Sequence, residues 1–296
     1  MRTESLSADM DVSVIIPVYQ RLDWIGRCIH NLLEQSFDGT IEIIVVDDGS
    51  PNGSEIETLV KAFPSKGGKH IRYIRQQQGG PAAARNYGVR FSTGKILCFL
   101  DDDSIVDIKW IYEITAPFRH SSSVAVVSGQ TRSLDRQNRL SLLLEKAVYT
   151  GKNWATCNIA YRRDIFEAVG GFDESFPEAS WEDNDLGLRV RWAGYSHIYN
   201  ENAIVYHPHE NSISEYKQKC LRNGRGAAVF SRKYILKKPL WGIGTPLIMS
   251  RRLIYGMLPS TWIRKDRSIE YLRFLWSFYS IQGFISALVG KNHDKN

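Results

Sequence analysis

The chain has 296 residues and 43% apolar content, enough to bury one large α/β core with an appendage. Its four cysteines (Cys28, Cys98, Cys157, Cys220) are scattered with no CxxC pair, which argues against a disulfide framework or a zinc–thiolate site and suits a reducing compartment. The net charge of +6 is unevenly spread: residues 217–273 hold 14 Lys/Arg against Asp266 and Glu270, so an acidic body carries a basic, aromatic-rich tail. Such asymmetry points to a polyanion or an anionic membrane surface as partner, unless the charges are only solvated helix faces.

Residues 1–10 are polar, with no apolar stretch of the signal-peptide kind, and read as a flexible tail. Val12–Tyr19 is a β-branched run closed by Pro17, as expected of a buried parallel strand and its exit loop. Leu22–Glu34 has apolar residues at helical spacing and stops at Phe37-Asp38-Gly39. A second strand, Ile41–Val46, ends in Asp47, Asp48 and a Gly-Ser turn. Glu55–Phe63 reads as a helix and Ile71–Ile74 as a short strand. Pro81 suits the first position of a helix running to Phe91. The next strand, Ile96–Leu100, delivers Asp101, Asp102 and Asp103 to its C-terminal end. Like charges gathered there are unfavourable unless a cation joins them, and open α/β sheets bind ligands at that edge. Alone, the triplet fits equally a metal–diphosphate site or an acidic turn capping a helix over Ile105–Arg119.

Strands are next expected at Val124–Val127, Thr156–Tyr161 and Ala203–Tyr206, and helices at Leu140–Tyr149, Arg163–Val169 and 184–193. Glu182, Asp183 and Asp185 open the last of these helices, where the dipole favours carboxylates. Beyond Ser212 come a basic amphipathic helix, Ile213–Leu236, an interrupted apolar stretch, 239–259, and an uncharged run, Phe274–Gly290. The last two are more suited to lying in a membrane interface than to spanning. Strand–helix alternation through the first hundred residues predicts a doubly wound, mostly parallel α/β sheet with helices on both faces. The expected organisation is a tail at 1–10, a catalytic domain at 11–211 and a basic, apolar helical extension at 212–296.

The stretches "VSVIIPVYQR", "IEIIVVDDGS", "GGPAAARNYGV", "ILCFLDDDS", "CNIAYRRDIFEAVGGFDESF", "WEDNDLGLRVRWAGY" and "IVYHP" occur in one order over Val12 to Pro208. In that order they resemble glycosyltransferase family 2, inverting enzymes of GT-A fold that use nucleotide sugars. The resemblance implies that Pro17, Tyr19 and the Asp47-Asp48 pair form the nucleoside end of a donor pocket. A carboxylate accepts the imide N–H of uracil or thymine, so UDP or dTDP is the expected nucleotide, with Asp47, or else Asp48, making that bond. Either could instead form a plain Asx turn. Arg85 would face the diphosphate or steady the aspartates.

By the same resemblance Asp101 to Asp103 correspond to a DxD motif. Asp101 would contact ribose or sugar, Asp102 would sit near the donor sugar, and Asp103 would hold Mn²⁺ or Mg²⁺. His207 would be a further metal ligand, favouring Mn²⁺, or a packing histidine. His209 would lie behind the site or toward the acceptor. Asp183 is the expected base, with Glu182 orienting the acceptor or the base. Trp181 would stack on the acceptor sugar or pack in the core. The implied enzyme inverts the anomeric centre and extends a saccharide or lipid-linked acceptor. It is expected in the cytoplasm, peripheral on the cytoplasmic face of a membrane, with no nucleic-acid partner. Two other readings compete. A nucleotidyltransferase would need a Gly-rich phosphate loop where Pro17-Val18-Tyr19 stands. A polyanion-binding protein would leave the strand-end acids unexplained.

Overall fold

The computed structural model describes residues 12–238 apart from 66, 149–150, 152 and 177, together with 240, 244, 247 and 267–289. The expected tail and most of the apolar stretch 239–259 lie outside these residues. The chain forms two compact units. The first comprises residues 1–134, 149–177 and 183–208. The second comprises 135–148, 178–182 and 209–296, so residues 135–148, 178–182 and 209–211 fall in it and not in the expected catalytic domain at 11–211.

The first unit is built on an eight-stranded sheet. Its strands are β1 (Val12–Val18), β2 (Ile41–Asp47), β3 (Lys69–Arg75), β4 (Ile96–Phe99), β5 (Ile105–Val106), β6 (Val124–Ser133), β7 (Ile159–Arg162) and β8 (Ser196–His207), in spatial order β3-β2-β1-β4-β7-β6-β8-β5. β1 to β4 pair in parallel, β7 is antiparallel to both β4 and β6, and β8 is parallel to β6. Six strands therefore point their C-terminal ends at one edge, and β7 contributes its N-terminal end there.

The central strands are apolar on both faces, as a sheet covered by helices requires. Val14, Ile16 and Val18 pack with α1 (Leu22–Leu33), α2 (Gly53–Ala62) and α4 (Trp110–His120). Ile15, Ile44 and Val46 face the other way, onto α3 (Pro81–Arg90), α6 (Arg163–Ala168) and Leu186 and Val190 of α7 (Glu182–Trp192).

Ile105 does not start a helix. Ile105 and Val106 pair with Tyr206 and Val205, and the helix begins only after a turn in which Trp110 N–H bonds the Asp107 carbonyl at 2.9 Å. β6 and β8 run longer than their apolar cores because they pair with each other, which carries His197, Asn200 and Asn202 into a strand.

In the second unit, α8 (Ile213–Tyr234) packs with α5 (Arg139–Val148) and α9 (Arg267–Leu288) around Leu144, Tyr216, Cys220, Leu272 and Leu275. Ser212 caps α8 by accepting the Glu215 N–H, and the Glu215 carboxylate accepts the Asn211 N–H. Close approach of α8 and α9 depends on Gly224, where a Cβ would lie 1.9 Å from the Ser280 carbonyl. α9 buries Ser277 and Ser280 beside Leu272 and Leu275, whereas Tyr271, Phe278, Ile285 and Leu288 are exposed. No helix among the described residues is long and apolar enough to cross a membrane.

Candidate active site

The strand edge collects the polar residues in register. Val18, Asp47 and Arg75 are neighbours across β1, β2 and β3. The Asp47 side chain is 0% exposed. It accepts the Ser50 N–H at 2.8 Å and the Tyr73 hydroxyl at 2.7 Å, and Arg75 Nη1 lies 3.3 Å away. Arg75 also donates to the Ser50 carbonyl at 2.8 Å. Asp48 is likewise buried, and accepts from Gln76 Nε2 at 2.7 Å and from the N–H groups of Gly79 and Gly80 at 2.8 Å each. Both carboxylates accept hydrogen bonds from the protein itself. The solvent-facing groups at this end are the Arg75 guanidinium, 45% exposed, and Tyr19; Pro17 lies half-buried in the same strand end.

At the end of β4 the carboxylates meet cations. Arg85, on the first turns of α3, has a side chain 3% exposed and donates to Asp101 Oδ1 at 3.0 Å. Its guanidinium lies over the Phe172 ring at 5.7 Å, which gives a buried cation a second favourable contact. Arg21 reaches from the end of the β1–α1 connection to Asp102 at 3.3 Å and, more closely, to Asp103. Gln20, just before it, has φ 65° and its N–H is held by Ser50 Oγ at 3.0 Å. A non-glycine residue in that conformation costs free energy and tends to mark a functional loop.

His207, the last residue of β8, puts Nε2 3.1 Å from Asp103 Oδ1 and 3.5 Å from Asp101 Oδ2. Burial alone would lower the His207 pKa, but the two carboxylates raise it well above the ordinary value. Burial alone would raise the Asp101 pKa; His207 and Arg85 overcome that and hold it well below the usual carboxylate range. Asp102 behaves oppositely. Burial, with Asp103 and Asp101 beside it, pushes it up to about 7 against the pull of Arg21.

Asp103 and His207, the expected ligand pair, are thus in contact, and Asp101 joins them. Two carboxylates and an imidazole are a suitable donor set for Mn²⁺, and less so for Mg²⁺, which favours oxygen ligands throughout. Asp103 Oδ1 is buried, and His207 Nε2 lies 3.1 Å from it.

Asp183 stands half-buried in the first turn of α7, its Oδ1 accepting the Asn184 backbone N–H at 2.7 Å and the Asn184 side-chain amide at 2.9 Å. The helix N-terminus favours the anionic form. Asp185 is fully buried and paired with Arg189 at 2.8 Å, and Arg189 also bonds the carbonyls of Val169 and Gly171. That aspartate is structural.

Trp181, Glu182 and His209 belong to the second unit. Glu182 and His209 are buried. Trp181 has φ 72°, stacks on Phe230 with ring centroids 5.1 Å apart, and donates from Nε1 to Asn223 at 3.1 Å. Its ring is packed within that unit.

Arg21, Tyr73, Arg75, Gln76 and Cys157 were not singled out from the sequence. Arg21 could have been found as the cation two residues beyond Tyr19. The others become neighbours only through strand order.

A mostly parallel α/β sheet with acidic strand ends, a buried arginine and a histidine on one edge defines a GT-A-type glycosyltransferase. The family model for glycosyl transferase family 2 matches residues 13–170, more than half of the chain, and the chain belongs to that family. An uncharacterized glycosyltransferase of Rickettsia bellii is 38% identical over 121 residues, 38% of this chain and 17% of the relative's length. Glycosyltransferase AglE of Haloferax volcanii is 29% identical over 73% of this chain and 72% of its own. Among solved structures, the mannosyltransferase PcManGT of Pyrobaculum calidifontis, in complex with GDP-Man and Mn²⁺, superposes with a TM-score of 0.67 at 20% identity. The match covers 95% of this chain and 88% of that one.

Proposed function

We propose that this glycosyltransferase moves a sugar from a nucleoside-diphosphate donor to a hydroxyl of a saccharide or lipid-linked acceptor, with inversion at the anomeric carbon. The observation that carries this reading is the meeting of Asp101, Asp103 and His207 at one strand edge beside the buried Arg85. Asp103 and His207, with Asp101, would hold Mn²⁺ or Mg²⁺, which when bound would neutralise charge on the departing diphosphate. Arg85 steadies Asp101. Asp102 lies toward the donor sugar. Arg75, held by Asp47, faces the nucleoside together with Tyr19 and Pro17, while Asp48 fixes the Gly79-Gly80 loop at the start of α3.

Asp183 takes the proton of the acceptor hydroxyl, and Glu182, next to it in the chain, helps fix its orientation. Attack from the side opposite the leaving group inverts the centre, so an α-linked donor gives a β-linked product. Asp183→Asn should lower transfer by about 10²–10⁴-fold while leaving nucleotide binding by calorimetry unchanged.

A donor screen by mass spectrometry tests the whole reading. UDP-, dTDP- and GDP-sugars are offered with Mn²⁺ and with simple lipid-linked and free acceptors. GDP-sugars are included because the mannosyltransferase neighbour binds GDP-Man. Metal-dependent release of nucleotide, abolished by chelator, supports the reading; no release from any donor sinks it.

We also infer that the second unit rests on an anionic membrane surface at the cytoplasmic face. Its basic residues suit lipid phosphates, and the exposed apolar row of α9 suits the headgroup–acyl boundary. Flotation with anionic liposomes is the check. Replacing Phe278 and Ile285 by Ser should weaken binding, and equal flotation of that variant would remove this role.

A further inference from the structure

The antiparallel strand β7 brings to the donor edge a residue that the chemistry above leaves unused. Cys157 lies just before β7, whose Ile159 pairs with Phe99 of β4. It is 4% exposed. Its Sγ, an Asp101 carboxylate oxygen and a His207 ring nitrogen all lie within 4.8 Å of one another. Asp103 Oδ1 lies 3.1 Å from His207 Nε2. Thr131 Oγ1, at 3.8 Å, makes only a weak contact with the sulfur. A carboxylate, an imidazole and a thiol thus converge, with Asp103 against the imidazole, and a core cysteine with a purely packing role has no need to sit among titratable groups of this kind.

We propose that Cys157 is a ligand of the divalent ion in the donor site and makes that site favour softer ions than oxygen and imidazole alone would. The proposal rests on the metal reading above and deepens it. As the metal–sulfur bond forms, the thiol proton leaves to solvent, and the ion's charge offsets the new thiolate. Asp101 and Asp103 keep the site able to accept Mn²⁺. The sulfur should raise affinity most for Co²⁺, Zn²⁺ and Cd²⁺, so that traces of these ions compete with Mn²⁺.

The test uses the full chain, stripped with chelator and titrated with Co²⁺. A near-ultraviolet thiolate-to-cobalt charge-transfer band is expected in the wild type. Cys157→Ser should lose that band yet keep the visible cobalt bands. Its Cd²⁺ affinity should fall on the order of tenfold or more, the scale on which loss of metal-site partners acts. Mn²⁺ binding, followed by electron paramagnetic resonance, should change less. X-ray absorption of the Zn²⁺-loaded wild type gives the same reading with no variant: a sulfur scatterer at about 2.3 Å is expected.

Bound Co²⁺ without the band, a band that survives in Cys157→Ser, or a Zn²⁺ shell without sulfur would each overturn the ligand assignment. A normal Mn²⁺ signal in those cases leaves the donor-site reading standing. Failure of the wild type to bind either Mn²⁺ or Co²⁺ would overturn both.

Discussion

The ends of β2 and β4 look alike in sequence: each is a buried apolar strand that terminates in consecutive aspartates. Their partners differ. At β2, Asp47 and Asp48 are satisfied by the Tyr73 hydroxyl, the Gln76 amide and the backbone N–H groups of Ser50, Gly79 and Gly80, with Arg75 closing over Asp47. Three of these donors are backbone N–H groups fixed by the chain path, so the carboxylates clamp the loops that follow β2 and β3. At β4, Asp101, Asp102 and Asp103 face Arg21, Arg85 and His207. Arg21 is 53% exposed and long enough to leave. The identity of the donors, more than the number of acids, separates a structural pair from a ligand site.

The largest effect should come from the β4 end. Asp103→Ala should cut transfer on the order of a hundred- to a thousandfold. It should also weaken Mn²⁺ binding and leave the thermal midpoint close to that of the wild type. Full turnover in this variant would remove the metal-site reading.

The β2 end should behave in the opposite sense. Asp47→Asn leaves Arg75 without its counter-ion, and a Tyr73 hydroxyl and Ser50 amide with a poorer acceptor. A loss of about 2–3 kcal/mol in urea unfolding is expected, because partners of a buried group are hard to re-satisfy. Nucleotide binding would fall only as a consequence. A variant of normal stability that selectively lost nucleotide binding would reverse the assignment and make Asp47 the base-contacting carboxylate.

What could be read from the sequence follows the same division. Asp101 to Asp103 stand out in the sequence because a strand end and a charge cluster are local features, whereas Asp183 and His207 were candidates only through the resemblance to the family. Arg75 was not, because its closure on Asp47 depends on the register Val18–Asp47–Arg75 across three strands. Cys157 was passed over as one of four scattered thiols, since it reaches the edge only because β7 runs opposite to its neighbours. The same non-locality made Ile105 look like a helix start. Two residues gain strand geometry from Val205 and Tyr206, far along the chain. The uncharged run near the C-terminus was visible, but its buried Ser277 and Ser280 and its exposed Phe278 and Ile285 were not, because they depend on which face of the helix packs.

A third carboxylate extends the contrast with a smaller effect. Glu42 pairs with Ser13 across β1 and β2, away from the donor edge. Its Oε1 accepts from Ser13 Oγ, from the Thr93 N–H and hydroxyl, and from the Gly94 N–H. Burial alone would raise its pKa; these donors outweigh burial and lower it. Like Asp47, it is saturated by groups of the protein itself, so its charge should bear on stability and not on turnover. A carboxylate with a depressed folded pKa stabilises the fold above its unfolded pKa, about 4.3, and loses that contribution as pH falls through the folded value. Glu42→Gln should therefore cost about 1 kcal/mol at neutral pH. The difference from the wild type should shrink below about pH 4.3, because protonation then removes from the wild type the charge that the variant lacks at every pH. Urea unfolding of the two proteins across that range measures it. A gap that stays constant with pH would mean that the Glu42 charge contributes nothing, and that packing alone holds this end of the sheet.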